Sequence, residues 1–129
     1  MTILQPPGWP RPKGFACGVS AEGTTVFVSG QIGWDENGRF APEIANQVGQ
    51  ALRNIVTILA EAGARPEHVT RLTWYVTGKH EYLAAQRAIG EAYRAVMGRH
   101  FPAMSVVAVA ALLEDGAKVE IEATAIIPR

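Results

Sequence analysis

The chain is poor in the residues and patterns that mark disulfide-bonded, membrane-embedded or strongly charged proteins. It has one cysteine, so no disulfide can form within it. Twelve basic and twelve acidic side chains give a formal net charge of zero, and neither a long apolar run nor a charged-then-apolar leader is present. We therefore expect a cytoplasmic protein that binds neither nucleic acid nor membrane.

Metal ions and nucleotide cofactors also lack support in the sequence. The three histidines, His68, His80 and His100, form neither the H-x-H nor the H-E-x-x-H pattern of a metal site. Glycine-rich phosphate loops of the Walker or dinucleotide-binding type are absent. The expected partner is a small molecule, bound without metal or cofactor.

Length and proline placement divide the chain into an arm and one domain. At 129 residues the chain can bury roughly two thirds of the surface that its unfolded form exposes. Four prolines fall within residues 6–12, and proline neither donates a backbone hydrogen bond nor continues a helix. Residues 1–13 are thus predicted to form an extended, unpaired arm over the surface of a single domain, residues 14–129.

Hydrophobic periodicity after the arm predicts the element order ββαβαββ. Apolar residues three or four apart indicate helices over residues 43–62 and 81–97. Alternating or β-branched segments indicate strands near residues 15–20, 24–29, 71–77, 104–110 and 117–127. The first two strands would form a hairpin, and both helices would cover one face of a mixed sheet, which is an α+β sandwich.

The last predicted strand indicates an oligomer. Every second residue from Val119 to Ile127 is apolar and fits under the helices, so the intervening positions from Lys118 to Ile126 face the other way. That other face also receives apolar neighbours from the strand near residues 104–110. An uncovered apolar face of this kind is typical of an interface between subunits.

Three short motifs point to a family. Residues 27–32 read F-V-S-G-Q-I, residues 101–105 read F-P-A-M-S, and residues 119–123 read V-E-I-E-A. Over residues 14–127 the sequence resembles the Rid family, also called YjgF or L-PSP, whose hallmark is F-P-A-R-S, a strand and V-E-I-E-A. The resemblance implies the Rid fold, also described as chorismate-mutase-like, and a homotrimer whose sheets form a central barrel with ligand clefts between subunits.

The resemblance also implies which residues line the cleft. The family's site tyrosine, the serine of S-G-Q, the arginine of F-P-A-R-S and the first glutamate of E-I-E-A correspond to Phe15, Ser29, Met104 and Glu120. Ser29 and Glu120 are predicted to be catalytic, because a hydroxyl and a carboxylate can position or activate a water. Phe15 and Met104 lack the phenol and the guanidinium that grips the substrate carboxylate in the family's deaminases, so the predicted cleft is more apolar.

Four further residues are predicted to contact the ligand. Gln86 and Ile89 stand where many family members have N-x-x-Y, and Ile32 and Trp34 follow the S-G-Q motif. Trp34 either forms a wall of the cleft or packs on its own subunit beside a turn at residues 35–38. Both interpretations stay open at the level of sequence.

The acidic strand also allows two interpretations. Glu120 and Glu122 point to the same side of the strand, an arrangement suited to a general acid or base. Alternatively, they form a polar rim or pair with Lys118 or with arginines of a neighbouring subunit. Trp74 alternates with Leu72 in an apolar pattern and is predicted to be a core residue.

Three functions are compatible with these residues. The first is a Rid-like hydrolase or deaminase that acts on an imine, an enamine or a related unsaturated metabolite in an apolar cleft. The second is a non-catalytic trimer that binds a small ligand, and the third is an L-PSP-type endoribonuclease, which the zero net charge disfavours. The sequence leaves open the substrate and whether another basic residue, such as Arg39 or Arg99, replaces the missing arginine.

Overall fold

The computed structural model describes all 129 residues. Its strands are β1 (Thr2–Leu4), β2 (Gly18–Ser20), β3 (Thr24–Ile32), β4 (Val69–Val76), β5 (Ala103–Ala108) and β6 (Val119–Ile127). Its helices are α1 (Ile44–Glu61), α2 (Lys79–Ala84) and α3 (Gln86–Met97), and a short 3-10 turn, Pro66–His68, precedes β4. None of the helices combines the length and the apolar character needed to cross a membrane.

Four strands form the main sheet, in the order β3-β6-β4-β5. β4 and β5 run parallel, whereas the other neighbouring strands run antiparallel. α1 packs against α3, β3 and β6, so the long helices cover one face of this sheet. The predicted α+β architecture with a mixed sheet is confirmed.

The core lies between the helices and the covered face of the sheet. The predicted apolar stripe of α1 is buried, with Leu52, Ile55 and Leu59 fully inaccessible to solvent. Val119 and Ile121 of β6 meet this stripe and are equally buried, as the alternation of β6 predicted. The opposite face of the sheet has no covering layer. We call it the open face, and it carries Phe27, Ser29, Thr73, Glu120 and Glu122.

One polar side chain is buried beneath the loops that flank the core. Gln47 of α1 is 1% exposed, and its Nε2 donates to the carbonyl oxygens of Ala41 at 2.8 Å and Gly116 at 3.0 Å. Its Oε1 accepts a hydrogen bond from the backbone N–H of Lys118 at 2.8 Å. These three bonds satisfy the buried amide and hold α1 to the loops before α1 and before β6.

The N-terminal arm differs from the prediction of an entirely unpaired segment. Residues Thr2–Leu4 form β1, which pairs antiparallel with β2 in a separate two-stranded sheet. β1 precedes the first proline, so its backbone N–H groups are available for pairing. Residues 5–12, which contain the prolines, form no strand.

The predicted hairpin between the strands near residues 15–20 and 24–29 is wrong. β3 pairs with β6 instead of β2. Gly23, in the connection, has φ +146°, and its Cα lies so close to the carbonyl group of Ile127 that a Cβ would overlap it. The connection therefore places the start of β3 beside the C-terminal end of β6, where Thr24 pairs with Ile127.

The second predicted helix is two helices with a junction at Ala85. The backbone N–H of Ala85 donates to Glu81 and that of Ile89 donates to Ala85, so α2 and α3 form one kinked unit. Gly98 ends α3 with φ +66°, which is the C-terminal position predicted for it.

Candidate active site

A cleft of about 550 Å³ lies where α2 and α3 meet the edge strand β5. Four residues that were predicted to contact the ligand line it, namely Phe15, Gln86, Ile89 and Met104. They come from the segment before β2, from α3 and from β5. The fold thus brings together residues that are far apart in the sequence.

Strand register explains how Met104 reaches this cleft. Met104 lies beside Leu72, and Val106 lies beside Trp74, in the parallel pairing of β5 with β4. Leu72 and Trp74 are buried under the helices, so Met104 and Val106 face the same side of the sheet. Because β5 is an edge strand, the helices cover it incompletely and Val106 stays 39% exposed.

Three aromatic rings form one wall of the cleft. Tyr93 stacks on Trp74 and on Phe101, with ring centroids 6.3 and 5.4 Å apart. The Tyr93 hydroxyl donates to the carbonyl oxygen of His100 at 2.6 Å, and burial raises the pKa of Tyr93, so the hydroxyl stays a neutral donor. Trp74 is a buried core residue, as predicted, and its side chain also borders the cleft. Its Nε1–H is buried without a hydrogen-bond partner.

Positive charge reaches the cleft from positions that sequence reasoning missed. Lys13 and Arg94 are the only charged side chains that line it, and no carboxylate does. Arg39 and Arg99, the two candidates named from the sequence, border other surface depressions. The sequence feature that could have indicated Arg94 is Gly90, because a glycine inside a helix usually has a packing or functional reason.

Ser29 and Glu120 lie on the open face of the sheet, with Glu120 against Gly30, the residue that follows Ser29. Between Val28 and Gln31 the register of β3 against β6 shifts by one residue, which is a β-bulge. The carboxyl group of Glu120 lies over Gly30 in this bulge, and a Cβ on Gly30 would come within 2.7 Å of Cδ of Glu120. Gly30 therefore leaves room for the Glu120 carboxylate next to Ser29.

Glu120 and Glu122 differ in their partners. The Tyr75 hydroxyl donates to Oε1 of Glu122 at 2.7 Å, and this hydrogen bond raises the pKa of Tyr75. Lys118 forms an ion pair with Glu81 at 2.5 Å and leaves Glu120 without an ion pair or side-chain hydrogen bond. Of the two carboxylates, Glu120 is the one free to act on a bound molecule.

Ile32 and Trp34 do not line the cleft that contains Met104. Ile32 is 8% exposed and lies opposite Glu120 in the strand register. Trp34 packs against Phe40 with ring centroids 5.9 Å apart, and its carbonyl oxygen accepts a hydrogen bond from Asn54 at 3.0 Å. These contacts favour packing on its own subunit. No three His, Cys, Asp or Glu side chains are grouped so that they could hold a metal ion.

Comparison with known proteins identifies the family. The family model for Endoribonuclease L-PSP matches residues 13–127. The chain belongs to this family, which is the Rid or YjgF family. A 2-iminobutanoate/2-iminopropanoate deaminase of Salmonella typhimurium is 35% identical over 105 residues, which cover 81% of this Rid protein and 80% of the relative. The deaminase of the same description from Dermatophagoides farinae is 29% identical over 127 residues, covering 97% and 95% of the two proteins.

Solved structures of Rid proteins share the fold over nearly the whole length. The Rid protein YyfB from Yersinia pestis superposes with a TM-score of 0.84, at 32% identity and 97% coverage of both proteins. Escherichia coli TdcF, solved with bound serine, has a TM-score of 0.71 at 30% identity and 98% coverage of both proteins.

In this Rid protein the predicted site residues form two groups on opposite faces of the main sheet. Phe15, Gln86 and Met104 line the cleft on the helix side, whereas Ser29 and Glu120 lie on the open face. The first group offers an apolar binding surface, and the second offers a carboxylate and a hydroxyl that can act on a water. The sheet backbone separates the two groups within one protomer.

Proposed function

We propose that the protein is a Rid-type hydrolase that acts on an imine or enamine with an apolar carbon skeleton. The relatives named as deaminases, together with the presence of Ser29 and Glu120, support a hydrolytic reaction. The lining of the cleft favours a substrate with an apolar skeleton. One wall is an aromatic stack, and Met104 stands where the family's deaminases have the arginine that binds the substrate carboxylate. Burial of an apolar group there contributes about 25 cal/mol per Å² of buried surface.

In the proposed reaction, water adds to the carbon of the C=N bond. Glu120 accepts a proton from the water as its oxygen attacks the carbon and the electron pair of the double bond moves to nitrogen, and Glu120 then returns this proton to the nitrogen. The hydroxyl proton of the carbinolamine then moves to the amine nitrogen by way of Glu120, and the C–N bond breaks to release ammonia and leave a C=O bond. Ser29 holds the water by a hydrogen bond, and each turnover consumes one water and releases one ammonia.

We further propose a homotrimer in which the cleft of one subunit is completed by Ser29 and Glu120 of the next. The separation of the two groups by the sheet supports this arrangement, because a single protomer cannot bring them to one substrate. The open face also exposes apolar side chains, with Phe27 78% and Val107 44% accessible. Association buries such a surface favourably.

Phe27→Glu is expected to abolish the trimer, because a charge would replace a large apolar side chain on the proposed association surface. Light scattering at micromolar protein concentration measures the oligomer. Ile58→Glu is the matched control, since Ile58 is 38% exposed on α1, on the helix side of the sheet. A monomeric unmodified protein would contradict both the trimer and the shared site.

The unmodified protein is expected to hydrolyse the imine of phenylalanine faster than that of alanine, because only the larger imine fills the apolar cleft. Met104→Arg, alone or with Phe15→Tyr, is expected to raise kcat/KM for the alanine imine about tenfold, since a charged hydrogen bond to a carboxylate contributes about 1.5 kcal/mol. Ammonia release can be followed with imines formed in the cuvette by an amino acid oxidase.

Met104→Leu is the control for this substitution, because it keeps the apolar volume and adds no charge. It should leave the preference for the larger imine unchanged. Turnover of no imine by the unmodified trimer would contradict the hydrolase and favour the non-catalytic binding protein. Folded arginine variants that neither bind a small carboxylate nor gain turnover would contradict the inferred role of position 104.

A further inference from the structure

We propose that Arg94, at the outer edge of the cleft that contains Met104, binds the anionic group of the ligand in this protein. Lys13, which lines the same cleft, adds a second positive charge to it. This inference rests on the proposed function of the cleft and specifies its ligand as a carboxylate with a flat or branched apolar body. The guanidinium lost at position 104 is thus replaced by one from α3.

The position of the Arg94 guanidinium depends on a glycine one helical turn earlier. A Cβ on Gly90 would lie 3.2 Å from Nη1 and 3.8 Å from Cζ of Arg94. Glycine is among the least favourable residues in a helix interior, and here its missing side chain leaves room for the guanidinium to lie against α3. The Arg94 side chain is therefore directed along the helix at the cleft, where both Gly90 and Arg94 are lining residues.

The Arg94 guanidinium has no ion-pair or hydrogen-bond partner within its own protomer. Arg87, the other arginine of α3, lies 3.8 Å from Glu91 in an ion pair, whereas Arg94 takes part in no ion pair or side-chain hydrogen bond. No Asp or Glu of the same protomer lines the cleft, so none of the protomer's own carboxylates pairs with Arg94 there. Arginine presents a planar set of N–H donors that matches the two oxygens of a carboxylate.

The remaining walls define the other end of the ligand. The stack of Trp74, Tyr93 and Phe101 offers a flat apolar surface, and Ile89 and Met104 extend it. The two cationic side chains of the cleft, Lys13 and Arg94, disfavour a cationic ligand. A substrate with an apolar body and one carboxylate therefore satisfies both ends of the cleft.

Isothermal titration calorimetry with phenylpyruvate, a 2-oxo acid of this class, tests the inference. Arg94→Gln is expected to weaken binding about tenfold, the value of one solvent-exposed charged hydrogen bond, and Arg94→Lys should weaken it less. Raising the salt concentration should weaken binding to the unmodified protein and have little effect on Arg94→Gln. Phenylacetone, which has a methyl group in place of the carboxylate, should bind the unmodified protein and Arg94→Gln equally.

Arg87→Gln is the matched control, because it removes the same charge from the same helix at a position that does not line the cleft. Equal affinity of Arg94→Gln and Arg87→Gln for phenylpyruvate would overturn the inference, even if imines are hydrolysed. Failure of the unmodified protein to bind phenylpyruvate would overturn it as well. A selective loss of binding in Arg94→Gln without turnover of any imine would support the anchor and contradict the hydrolase.

Discussion

Glu120→Gln is expected to lower kcat/KM for imine hydrolysis by about a hundredfold or more, which is the usual contribution of a general acid or base. The substitution keeps the shape of the side chain and removes its ability to accept a proton from water. Gly30 leaves the space in which this carboxyl group lies, and glutamine fits the same space. The fold and the oligomer should therefore persist, and the loss should appear in turnover.

Glu122→Gln is the matched control for Glu120→Gln. It lies two residues along the same strand and faces the same side, but its carboxylate already accepts a hydrogen bond from Tyr75. An amide oxygen can accept the same bond, so turnover should change little. Equal decreases of kcat/KM in the two variants would show that the net charge on the open face matters. If both variants kept the kcat/KM of the unmodified protein, Glu120 would be excluded as the catalytic group.

Gln47→Leu is expected to lower the free energy of unfolding by about 3 kcal/mol, because it removes three hydrogen bonds and leaves their backbone partners at Ala41, Gly116 and Lys118 unpaired. Leucine has a similar volume, so the loss arises from polar groups and not from a cavity. Chemical denaturation followed by circular dichroism measures the change. All variants must be compared at one protomer concentration, since association would add to the apparent stability.

Gln50→Leu provides the comparison within the same helix. Gln50 lies three residues after Gln47, is only partly buried, and bonds through its side chain to neighbours on α1, Arg53 and Asn54. Replacing Gln50 should lower the free energy of unfolding by less than about 1 kcal/mol, as is usual for side-chain pairs on a helix surface. Similar losses in both variants would mean that the links from Gln47 to the loops contribute little.

The helices and the long strands could be predicted from the sequence because each depends on local periodicity. The stripe of α1 and the alternation of β6 are found buried as their spacing indicated. The pairing of β1 with β2 was missed, because three residues ahead of a proline-rich segment are too few to show a strand pattern. The hairpin prediction failed because pairing partners depend on long-range competition, and β6 offers β3 a nine-residue partner.

Short motifs and local spacing were sufficient to predict the family and most of the element order, and to name the candidate side chains of the site. The placement of Met104 on the helix side of the sheet, with Ser29 and Glu120 on the open face, emerged only from the folded structure. The same is true of Arg94, which shares the cleft of Met104. Residues that are distant in sequence are brought together by strand register, by the bulge in β3 and by the packing of α3 over an edge strand. No local sequence pattern encodes these contacts.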